Sequence, residues 1–299
     1  MVSIIIPAYN AHNFLRATLM SIQAQSVSDW EVIVWDDGSS PPLESIVKSF
    51  SEPRFSYFYA FNSGVSASRN QGFEKSKGEY IVFFDSDDLM GPDFLSSRVN
   101  KLNSSADIDF VCADALVMDE SGNTGEKWLV PVCENLVKDI LHYELPYCEK
   151  ISCPSNYLFR RKVIEDIKFD VTLQSSADRL FLLDLSANYQ GLDLGRKGIL
   201  YYRRSANSMS AKKDISFYQD NYRYFKLVRA RKDHIPANSY RKFCFGHGKI
   251  LAYGFLKNGK LFRGIQFLFI STWHNPIYYW NKLKTDHSRS LKQMYEIPD

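Results

Sequence analysis

Tyr80-Ile81-Val82-Phe83-Phe84-Asp85-Ser86-Asp87-Asp88 is an apolar run that ends in three carboxylates. A short, continuous apolar run is typical of a strand that is buried on both faces of a parallel sheet. Two earlier stretches, Ser3–Asn10 and Trp30–Ser39, repeat the arrangement of an apolar run followed by polar residues. Each of the three stretches therefore predicts a buried strand with polar side chains at its carboxyl end.

Helical segments separate the predicted strands along the chain. Strands are predicted at Ser3–Ile6, Trp30–Trp35, Phe55–Ala60, Tyr80–Phe84, Asp109–Val117, Ser155–Arg160 and Gly198–Tyr202. Helices are predicted at Phe14–Ile22, Leu43–Phe50, Ala67–Lys77, Pro92–Leu102 and Asp178–Tyr189. Alternating strands and helices of this kind indicate βαβ units. The predicted fold class is α/β, with a mixed, mainly parallel sheet flanked by helices and a helical extension at the C-terminal end.

Three polar clusters follow the predicted strands: Ala8-Tyr9-Asn10, Asp36-Asp37-Gly38-Ser39 and Asp85-Ser86-Asp87-Asp88. The carboxyl ends of parallel strands meet at one edge of a sheet, and ligands of open α/β sheets bind outside that edge. We therefore expect the three clusters to form one site from residues that are distant in sequence.

The spacing of Asp85 and Asp87 lets both carboxylates address one hard cation where the strand begins to turn. Mg²⁺ and Mn²⁺ prefer carboxylate and water oxygens as ligands. The alternative is that Asp87 or Asp88 caps the following helix, which Pro92 helps to begin.

The remaining clusters also have two interpretations. An Asp-Gly turn is common after a strand, but it does not require two carboxylates, and either Asp36 or Asp37 could accept a hydrogen bond from a nucleobase. In Gly64–Asn70, small residues enter a helix, and Arg69 supplies a cation for a phosphate or a base. The alternative for Gly64–Asn70 is a plain helix start with a solvated arginine.

Four motifs occur in order along the chain: Ser3–Asn10, Asp36–Ser40, Gly64–Gly72 and Gly78–Asp88. In this order and spacing they resemble the family 2 glycosyltransferases, inverting enzymes of the GT-A fold. The resemblance covers residues 1–90 strongly and extends more loosely to about residue 210. It implies a GT-A domain at 1–210, with a nucleotide-binding half at 1–117 and an acceptor half at 118–210. A basic, aromatic helical region follows at 211–299.

The resemblance also implies which residues bind the donor. Nine residues are expected to contact the nucleotide: Pro7, Ala8, Tyr9, Asn10, Asp36, Asp37, Arg69, Asp85 and Ser86. Asp85 and Asp87 are expected to hold a divalent cation, Mn²⁺ or Mg²⁺, with Asp87 as the more direct ligand.

The general base of the family belongs to a Glu-Asp pair at the start of a helix, after a Phe-Asp-x-x-Leu stretch. Here Phe169–Leu173 is followed by Ala177 and Asp178, so Asp178 matches the base and Ala177 replaces the glutamate. The alternative is an ordinary first-turn aspartate that the helix dipole stabilises. Asp184 is the weaker candidate for the base.

Tyr201–Ser210 resembles the strand and loop that close over the diphosphate in relatives. Many relatives carry a histidine where this chain has Ser205. Arg203 and Arg204 are therefore the candidates for diphosphate contact.

The resemblance implies transfer of a sugar from a nucleotide-sugar donor, with UDP as the expected nucleotide. The acceptor is expected to be a hydroxyl of a glycan or of a lipid-linked glycan in cell-surface polysaccharide synthesis. Removal of the acceptor proton by Asp178 in a single displacement would invert the anomeric configuration.

The net charge of +3 hides a split between an acidic body and a basic C-terminal region. Residues 1–211 carry a net charge of −8, whereas residues 212–299 carry +11. The C-terminal region is also rich in aromatic residues, and Phe262, Phe269 and Trp273 fall on one helical face. These features favour binding to an anionic membrane surface. The alternative is that this face packs on the body.

Other functions are less favoured. Basic, aromatic segments also bind single-stranded nucleic acid, so the main alternative is a nucleic-acid-binding module with a non-catalytic α/β body. No nucleic-acid partner is expected, because the four ordered motifs favour the enzyme. A dinucleotide oxidoreductase is disfavoured because G-x-G-x-x-G is absent after the first strand.

The predicted location is the cytoplasm, with peripheral attachment to the inner face of the cell membrane. The five cysteines include no C-x-x-C pair, which indicates reduced thiols. The N-terminal residues have no signal-peptide pattern, and no window is apolar enough to predict a spanning helix.

Overall fold

The computed structural model describes residues 1–131, 133, 141, 150–204 and 215–274. The chain divides into two units, Met1–Ile140 with Leu145–Lys212 and Leu141–Glu144 with Lys213–Asp299. We call them the α/β unit and the helical unit. The boundary predicted at residue 210 lies outside the described residues, and the division predicted at residue 117 stays a prediction.

In the described residues the α/β unit contains twelve strands. Their bounds are β1 Val2–Ala8, β2 Trp30–Asp36, β3 Phe55–Tyr59, β4 Tyr80–Phe83, β5 Leu89–Met90, β6 Phe110–Cys112, β7 Ala115–Met118, β8 Thr124–Pro131, β9 Lys150–Ile151, β10 Leu158–Arg160, β11 Gly191–Asp193 and β12 Leu200–Arg203. Seven strands form the central sheet in the order β11-β6-β10-β4-β1-β2-β3. Only β10 runs antiparallel to its neighbours among these described strands, so the expected mixed, mainly parallel sheet is confirmed.

The other five strands form a second sheet in the order β5-β12-β7-β8-β9. The prediction of one strand over Asp109–Val117 is wrong, because β6 and β7 belong to different sheets. The chain leaves the central sheet at Asp114, whose N–H donates to the carbonyl of Gly195 at 2.7 Å, beyond the end of β11. Local sequence pattern does not reveal this change of sheet.

Helices cover the central sheet. Their bounds in the described part of the α/β unit are α1 Leu15–Gln23, α2 Glu44–Lys48, α3 Val65–Lys75, α4 Phe94–Ser104, α5 Arg161–Asp166 and α6 Ala177–Leu185. Leu15 and Leu19 of α1 pack with Ile4 and Ile6 of β1 in the same buried core. Helix α3 contacts β1 and β2, and it carries Arg69 toward the carboxyl edge of the sheet.

The strand register brings the three polar clusters to one edge. Ala8 lies opposite Asp36, and Asp36 lies opposite Tyr59. In β4, Phe83 lies opposite Ile5, so Asp85 extends beyond the same end of the sheet. The expectation of a shared edge is therefore met by the topology.

The helical unit contains three α-helices in its described residues: α7 Ile215–Ala230, α8 Ala237–Lys257 and α9 Leu261–His274. Aromatic rings fill its core, and Phe225 stacks on Phe243 with ring centroids 5.5 Å apart. Helices α8 and α9 approach closely at Gly248, where an added Cβ would lie 2.9 Å from that of Ser271. Among the described helices, none has the length and apolar character needed to cross a membrane.

Gly72→Ala is expected to destabilise the α/β unit, because a methyl group at this position of α3 would overlap the buried side chain of Ile5. Overpacking of a core costs about 1–3 kcal/mol. Thermal unfolding followed by circular dichroism should show a lower melting temperature. The matched control is Gly246→Ala in α8, where an added Cβ meets nothing within 4 Å and helix propensity improves. A Gly72→Ala variant that melts like the wild type would contradict this packing.

Candidate active site

The turn after β1 is fastened to the turn after β2. Pro7 and Ala8 are buried in β1, whereas Tyr9 at the strand end is 56% exposed. Asn10 has a φ of 52°, in the left-handed region that asparagine tolerates better than most residues. Its N–H donates to the hydroxyl oxygen of Ser39 at 2.8 Å. The ring of Tyr9 is therefore presented at the carboxyl edge of the sheet on an ordered turn.

Asp36 stabilises the turn after β2 from the inside. Its fully buried carboxylate accepts hydrogen bonds from the N–H groups of Ser39 and Leu43, at 2.8 and 2.9 Å, and from the hydroxyl of Tyr57 at 2.6 Å. Burial alone would raise the pKa of Asp36, but these hydrogen bonds lower it below its ordinary value. The predicted contact of Asp36 with the nucleotide stays a prediction.

Asp37 fixes the loop between β3 and α3. Its carboxylate accepts from the N–H of Gly64 at 2.9 Å and from the N–H and hydroxyl of Ser63 at 2.8 and 3.2 Å. A carboxylate has about four acceptor positions, so these three bonds leave capacity for a ligand donor. Gly38, with a φ of 86°, allows this loop to approach, since a Cβ there would lie 2.9 Å from the backbone nitrogen of Asn62.

Arg69 joins two carboxylates in the middle of the site. Its guanidinium donates from Nη1 to Asp178 at 2.7 Å and from Nη2 to Asp85 at 2.8 Å. The side chain is only 3% exposed, and the guanidinium carbon lies 5.0 Å from the centre of the Phe169 ring. Burial alone would lower the pKa of Arg69, but the charges of Asp178 and Asp85 raise it above its ordinary value. Arg69 is thus a permanent cation that links the acidic loop to α6.

The segment that leads into α6 is held against α3. Asn70 donates from Nδ2 to the carbonyl of Phe169 at 2.9 Å and accepts from the N–H of the same residue at 3.1 Å. The Phe169 ring stacks on Phe181 of α6, with centroids 4.3 Å apart. Asp178 lies in the first turn of this helix and keeps 31% of its side chain exposed. These contacts fix the position of the Asp178 carboxylate relative to Arg69.

The surroundings of Asp178 favour its protonated form more than water does. Burial raises the pKa of this carboxyl group, the Arg69 cation opposes that rise, and the charge of Asp85 adds to it. The net result is a pKa above the ordinary value, which makes the carboxylate a better proton acceptor.

The acidic loop after β4 is anchored through its backbone. The N–H of Asp85 donates to the hydroxyl oxygen of Ser155 at 2.9 Å. The hydroxyl of Thr18 lies 3.0 Å from the carbonyl oxygen of Ser86 and 2.9 Å from that of Asp88. These contacts are made to backbone groups of the loop, so they hold its shape without using the side chain of Ser86.

Asp85, Asp87 and Asp88 crowd one another. Burial, followed by the charge of Asp85, raises the pKa of Asp87 to about 6. Burial and the charges of both neighbours raise the pKa of Asp88 well above its ordinary value. A divalent cation beside these carboxylates would relieve this repulsion, so the loop fits a metal ion electrostatically.

One set of donor atoms in the described residues could hold such an ion. Ligand atoms of Asp85, Asp88 and Cys153 lie within 4.8 Å of one another. The thiol of Cys153 is 3.2 Å from Oδ2 of Asp85 and 3.8 Å from Oδ2 of Asp88. The two carboxylates suit Mg²⁺ or Mn²⁺. This set pairs Asp85 with Asp88, and the predicted metal contact of Asp87 stays a prediction.

Arg203 holds the acidic loop in place. Its backbone N–H donates to Oδ1 of Asp88 at 3.0 Å, and its Nε donates to the carbonyl of Asp87 at 2.8 Å. Its Nη1 donates to the carbonyls of Asp119 and Glu120 at 3.0 and 2.7 Å. The side chain is buried, so the observed role of Arg203 is to join β12 to this loop. Its predicted contact with a diphosphate stays a prediction.

Arg204 differs from its neighbour because it is exposed. Its guanidinium carbon lies 6.0 Å from the centre of the Tyr202 ring. Ser205, which departs from the family pattern, lies outside the described residues. Of the two candidates for diphosphate contact, Arg203 and Arg204, Arg204 is therefore the one whose charge faces solvent.

Sequence reasoning missed several residues that build the site. Asn70 belongs to the Gly64–Gly72 motif, but the motif does not predict its hydrogen bonds to Phe169. Cys153 carried no signal, because an isolated cysteine has no ligand spacing and only tertiary packing brings it to Asp85. Asp88 could have been found, since it continues the acidic run.

Comparison with known sequences finds glycosyltransferases. The Bacillus subtilis protein EpsH is 28% identical over 183 residues, which are 60% of this chain and 52% of that protein. Glycosyltransferase GlyA of Streptococcus pneumoniae is 29% identical over 180 residues, which are 57% of this chain and 26% of that protein. The matched part is therefore less than two thirds of the length of these relatives. An uncharacterized glycosyltransferase of Methanocaldococcus jannaschii is 26% identical over 247 residues, covering 80% of this chain and 83% of that protein.

Solved structures share the fold. Residues 1–349 of Staphylococcus aureus TarS, in complex with UDP-GlcNAc, align with a TM-score of 0.66 and 21% identity over 90% of this chain and 79% of that one. The mannosyltransferase PcManGT of Pyrobaculum calidifontis, in complex with GDP-Man and Mn²⁺, aligns with a TM-score of 0.57 and 15% identity, covering 97% of this chain and 80% of that one. The expected GT-A fold is confirmed, and these comparisons give no support to the nucleic-acid-binding alternative.

The family model described as glycosyl transferase family 2 matches residues 3–168, which is more than half of the chain and includes the three strand-end clusters and Arg69. The chain therefore belongs to glycosyl transferase family 2.

Proposed function

We propose that this protein is an inverting glycosyltransferase that moves a sugar from a UDP-sugar to a hydroxyl of a glycan or lipid-linked acceptor. The supporting observation is the bridge from Asp178 through Arg69 to Asp85. It holds a carboxylate of raised pKa beside the acidic loop at the edge of the sheet, where a nucleotide diphosphate is expected. This arrangement supports the proposal, because the proposed base lies close to the proposed donor site.

The donor class is supported by the solved relatives. TarS has been solved with UDP and with UDP-GlcNAc, and PcManGT with GDP-Man. In this chain the exposed ring of Tyr9 and the remaining acceptor capacity of Asp37 suit stacking and hydrogen bonding with a base. We propose UDP as the nucleotide, held by the nine residues named from the motifs.

The acidic loop supports a requirement for Mn²⁺ or Mg²⁺. We propose that Asp85 and Asp87 hold the ion, with Asp88 behind them. A divalent cation bound there would neutralise negative charge on the departing diphosphate. Without an opposing charge, the carboxylates of this loop would repel the donor.

The reaction is a single displacement. A bond forms between the acceptor oxygen and the anomeric carbon, while the bond from that carbon to the phosphate oxygen breaks and its electron pair leaves with the nucleotide diphosphate. Asp178 takes the proton of the acceptor hydroxyl. Arg69 keeps Oδ1 of Asp178 occupied, so Oδ2 is the oxygen that receives the proton. Attack from the side opposite the leaving group inverts the anomeric configuration.

The acceptor and the location belong to the same proposal. Residues 1–117 form the nucleotide-binding half and residues 118–210 the acceptor half. The acceptor belongs to cell-surface polysaccharide synthesis, and the protein works at the cytoplasmic face of the cell membrane. The net charge of +11 over residues 212–299 supports a position beside anionic lipid.

Asp178→Asn should lower turnover by about 10²–10⁴-fold, because the amide cannot accept the acceptor proton. Binding of UDP, measured by calorimetry, should change little. The matched control is Asp184→Asn in the same helix, which should retain near-wild-type turnover. Near-wild-type turnover in Asp178→Asn, or an equal loss in Asp184→Asn, would remove Asp178 as the base.

The rate should fall as the pH is lowered through the pKa of Asp178, because only the carboxylate accepts a proton. Since burial raises this pKa, the acidic limb of the kcat profile should lie above ~3.9, the ordinary value for aspartate. A kcat that is independent of pH down to about 4, in a protein that circular dichroism shows to be folded, would contradict this assignment.

Asp87→Asn should reduce the stabilisation that Mn²⁺ adds to UDP binding. In thermal-shift measurements the wild type should melt several degrees higher with UDP and Mn²⁺ than with UDP alone. Asp87→Asn should lose most of that difference. The control Asp29→Asn makes the same charge change at an exposed position and should keep it. A full Mn²⁺ effect in Asp87→Asn would exclude a direct metal contact.

A further inference from the structure

Helix α9 presents an apolar surface to solvent. Six large apolar side chains on one side of the helix are between 39% and 84% exposed, and we call them the α9 face: Leu261, Phe262, Ile265, Leu268, Phe269 and Trp273. Their spacing follows the helical period, so they form a continuous strip. A continuous apolar strip of this kind is rarely exposed on monomeric soluble proteins.

The opposite side of α9 is packed, which fixes the orientation of the strip. Phe267 is buried and stacks on Phe255 of α8 with centroids 5.8 Å apart. Ser271 is buried and donates from its hydroxyl to the carbonyl of Phe245 at 3.1 Å. The side of α9 that carries Phe267 and Ser271 therefore packs within the helical unit, and the α9 face on the other side is exposed to solvent.

The α9 face exposes a large apolar area. Phe262, Phe269 and Trp273 are 84%, 64% and 73% exposed. With about 150–250 Å² per aromatic side chain, these three alone expose roughly 400 Å², and the aliphatic residues add to it. Contiguous apolar patches of this size mark protein or membrane contact sites.

The charge around the face selects among possible partners. No Asp or Glu occurs between Asp233 and Asp286, whereas α8, α9 and the turn between them contain six cations: Arg241, Lys242, Lys249, Lys257, Lys260 and Arg263. Lys257 at the end of α8 and Lys260 in the following turn are exposed just before the α9 face begins, whereas the guanidinium of Arg263 lies 5.7 Å from the Phe255 ring of α8. Two copies of the chain meeting through this face would bring like charges together, but an anionic lipid surface would be complementary.

The dimensions of α9 also suit a membrane surface. Fourteen residues of helix are about 21 Å long, which is shorter than the ~30 Å hydrocarbon core of a bilayer. A helix with an apolar face and basic flanks lies in the plane of the interface, with its apolar side chains among the acyl chains. Trp273 is of the type enriched at that depth.

We propose that the α9 face docks the protein on an anionic phospholipid bilayer, with Lys257 and Lys260 contacting the headgroups. Docking on the bilayer is independent of the proposed sugar transfer. Only the link between this surface and a lipid-linked acceptor rests on the proposed function. It identifies helix α9, among the residues of the basic C-terminal region, as the part that enters the lipid. The membrane contact then keeps the enzyme on the surface that presents its acceptor.

Co-sedimentation of the full chain with vesicles tests the proposal. The protein should bind vesicles of phosphatidylcholine and phosphatidylglycerol, and it should bind pure phosphatidylcholine vesicles much more weakly. Phe269→Glu should lower the partition coefficient at least tenfold, because it removes an exposed ring that would enter the lipid and adds a negative charge. Lys257→Gln with Lys260→Gln should lower it roughly 30-fold, and added salt should reduce the binding of the wild type.

Met20→Glu is the matched control, because Met20 is a 57% exposed apolar residue on helix α1 of the other unit. It should bind vesicles like the wild type, and circular dichroism should show that every variant is folded. Equal binding by Phe269→Glu and the wild type would overturn the proposal. Absence of binding to anionic vesicles would also overturn it. A dimer in light scattering that Phe269→Glu dissociates would identify the second copy.

This experiment requires neither donor nor acceptor. Failure of vesicle binding would remove the proposed position beside anionic lipid and leave the proposed sugar transfer intact. Conversely, Asp178→Asn should bind vesicles like the wild type even though its turnover is lost. The two proposals therefore fail separately.

Discussion

The site depends on one buried cation placed between two carboxylates. Arg69 reaches Asp85, 16 residues away, and Asp178, 109 residues away, with both ion pairs under 3 Å. Loss of Arg69 would leave both carboxylates without their shared counter-charge, and removing one partner of a buried ion pair costs about 3–5 kcal/mol. Here each carboxylate also depends on the other through the shared guanidinium. The acidic loop and the start of α6 are thereby held as one arrangement.

The arginines of the site therefore serve mainly to organise it. Arg69 is shared by two carboxylates, whereas the guanidinium of Arg203 donates to three carbonyl groups of the surrounding loops. The charge of Arg203 lowers the pKa of Asp87, but burial and the charge of Asp85 outweigh it, and the pKa values of both Asp87 and Asp88 are raised. This crowding of carboxylates is the physical reason to associate the site with a divalent metal. The net charge of −8 over residues 1–211 follows the same trend.

Much of the architecture could be predicted from local pattern, because buried parallel strands are short apolar runs and their carboxyl ends share an edge. That rule brings Asp37 and Asp85 to the same edge. It does not distinguish Asp36 from Asp37, although the first is bonded to the turn and the second to the neighbouring loop. Their difference arises from alternation of side chains along a strand and from partners that sequence pattern does not specify.

Long-range packing accounts for what local pattern missed. The pairing of β10 with β4, and the approach of Cys153 to Asp85, each join segments that are more than 65 residues apart. Propensity and periodicity are properties of short windows and carry no information on such pairs. The role of Asn70 belongs to the same class, because its partner Phe169 lies 99 residues away.

The position of β10 has a consequence for synthesis of the chain. This strand of three residues, Leu158–Arg160, fills the place between β4 and β6 in the central sheet. A nascent chain that has emerged only as far as residue 117 carries β4 and β6 with no strand between them. Both strands then have open edges, which are templates for wrong pairing. Residues 1–117 therefore cannot complete their sheet during translation until the segment that also carries Ser155 and Cys153 has left the ribosome.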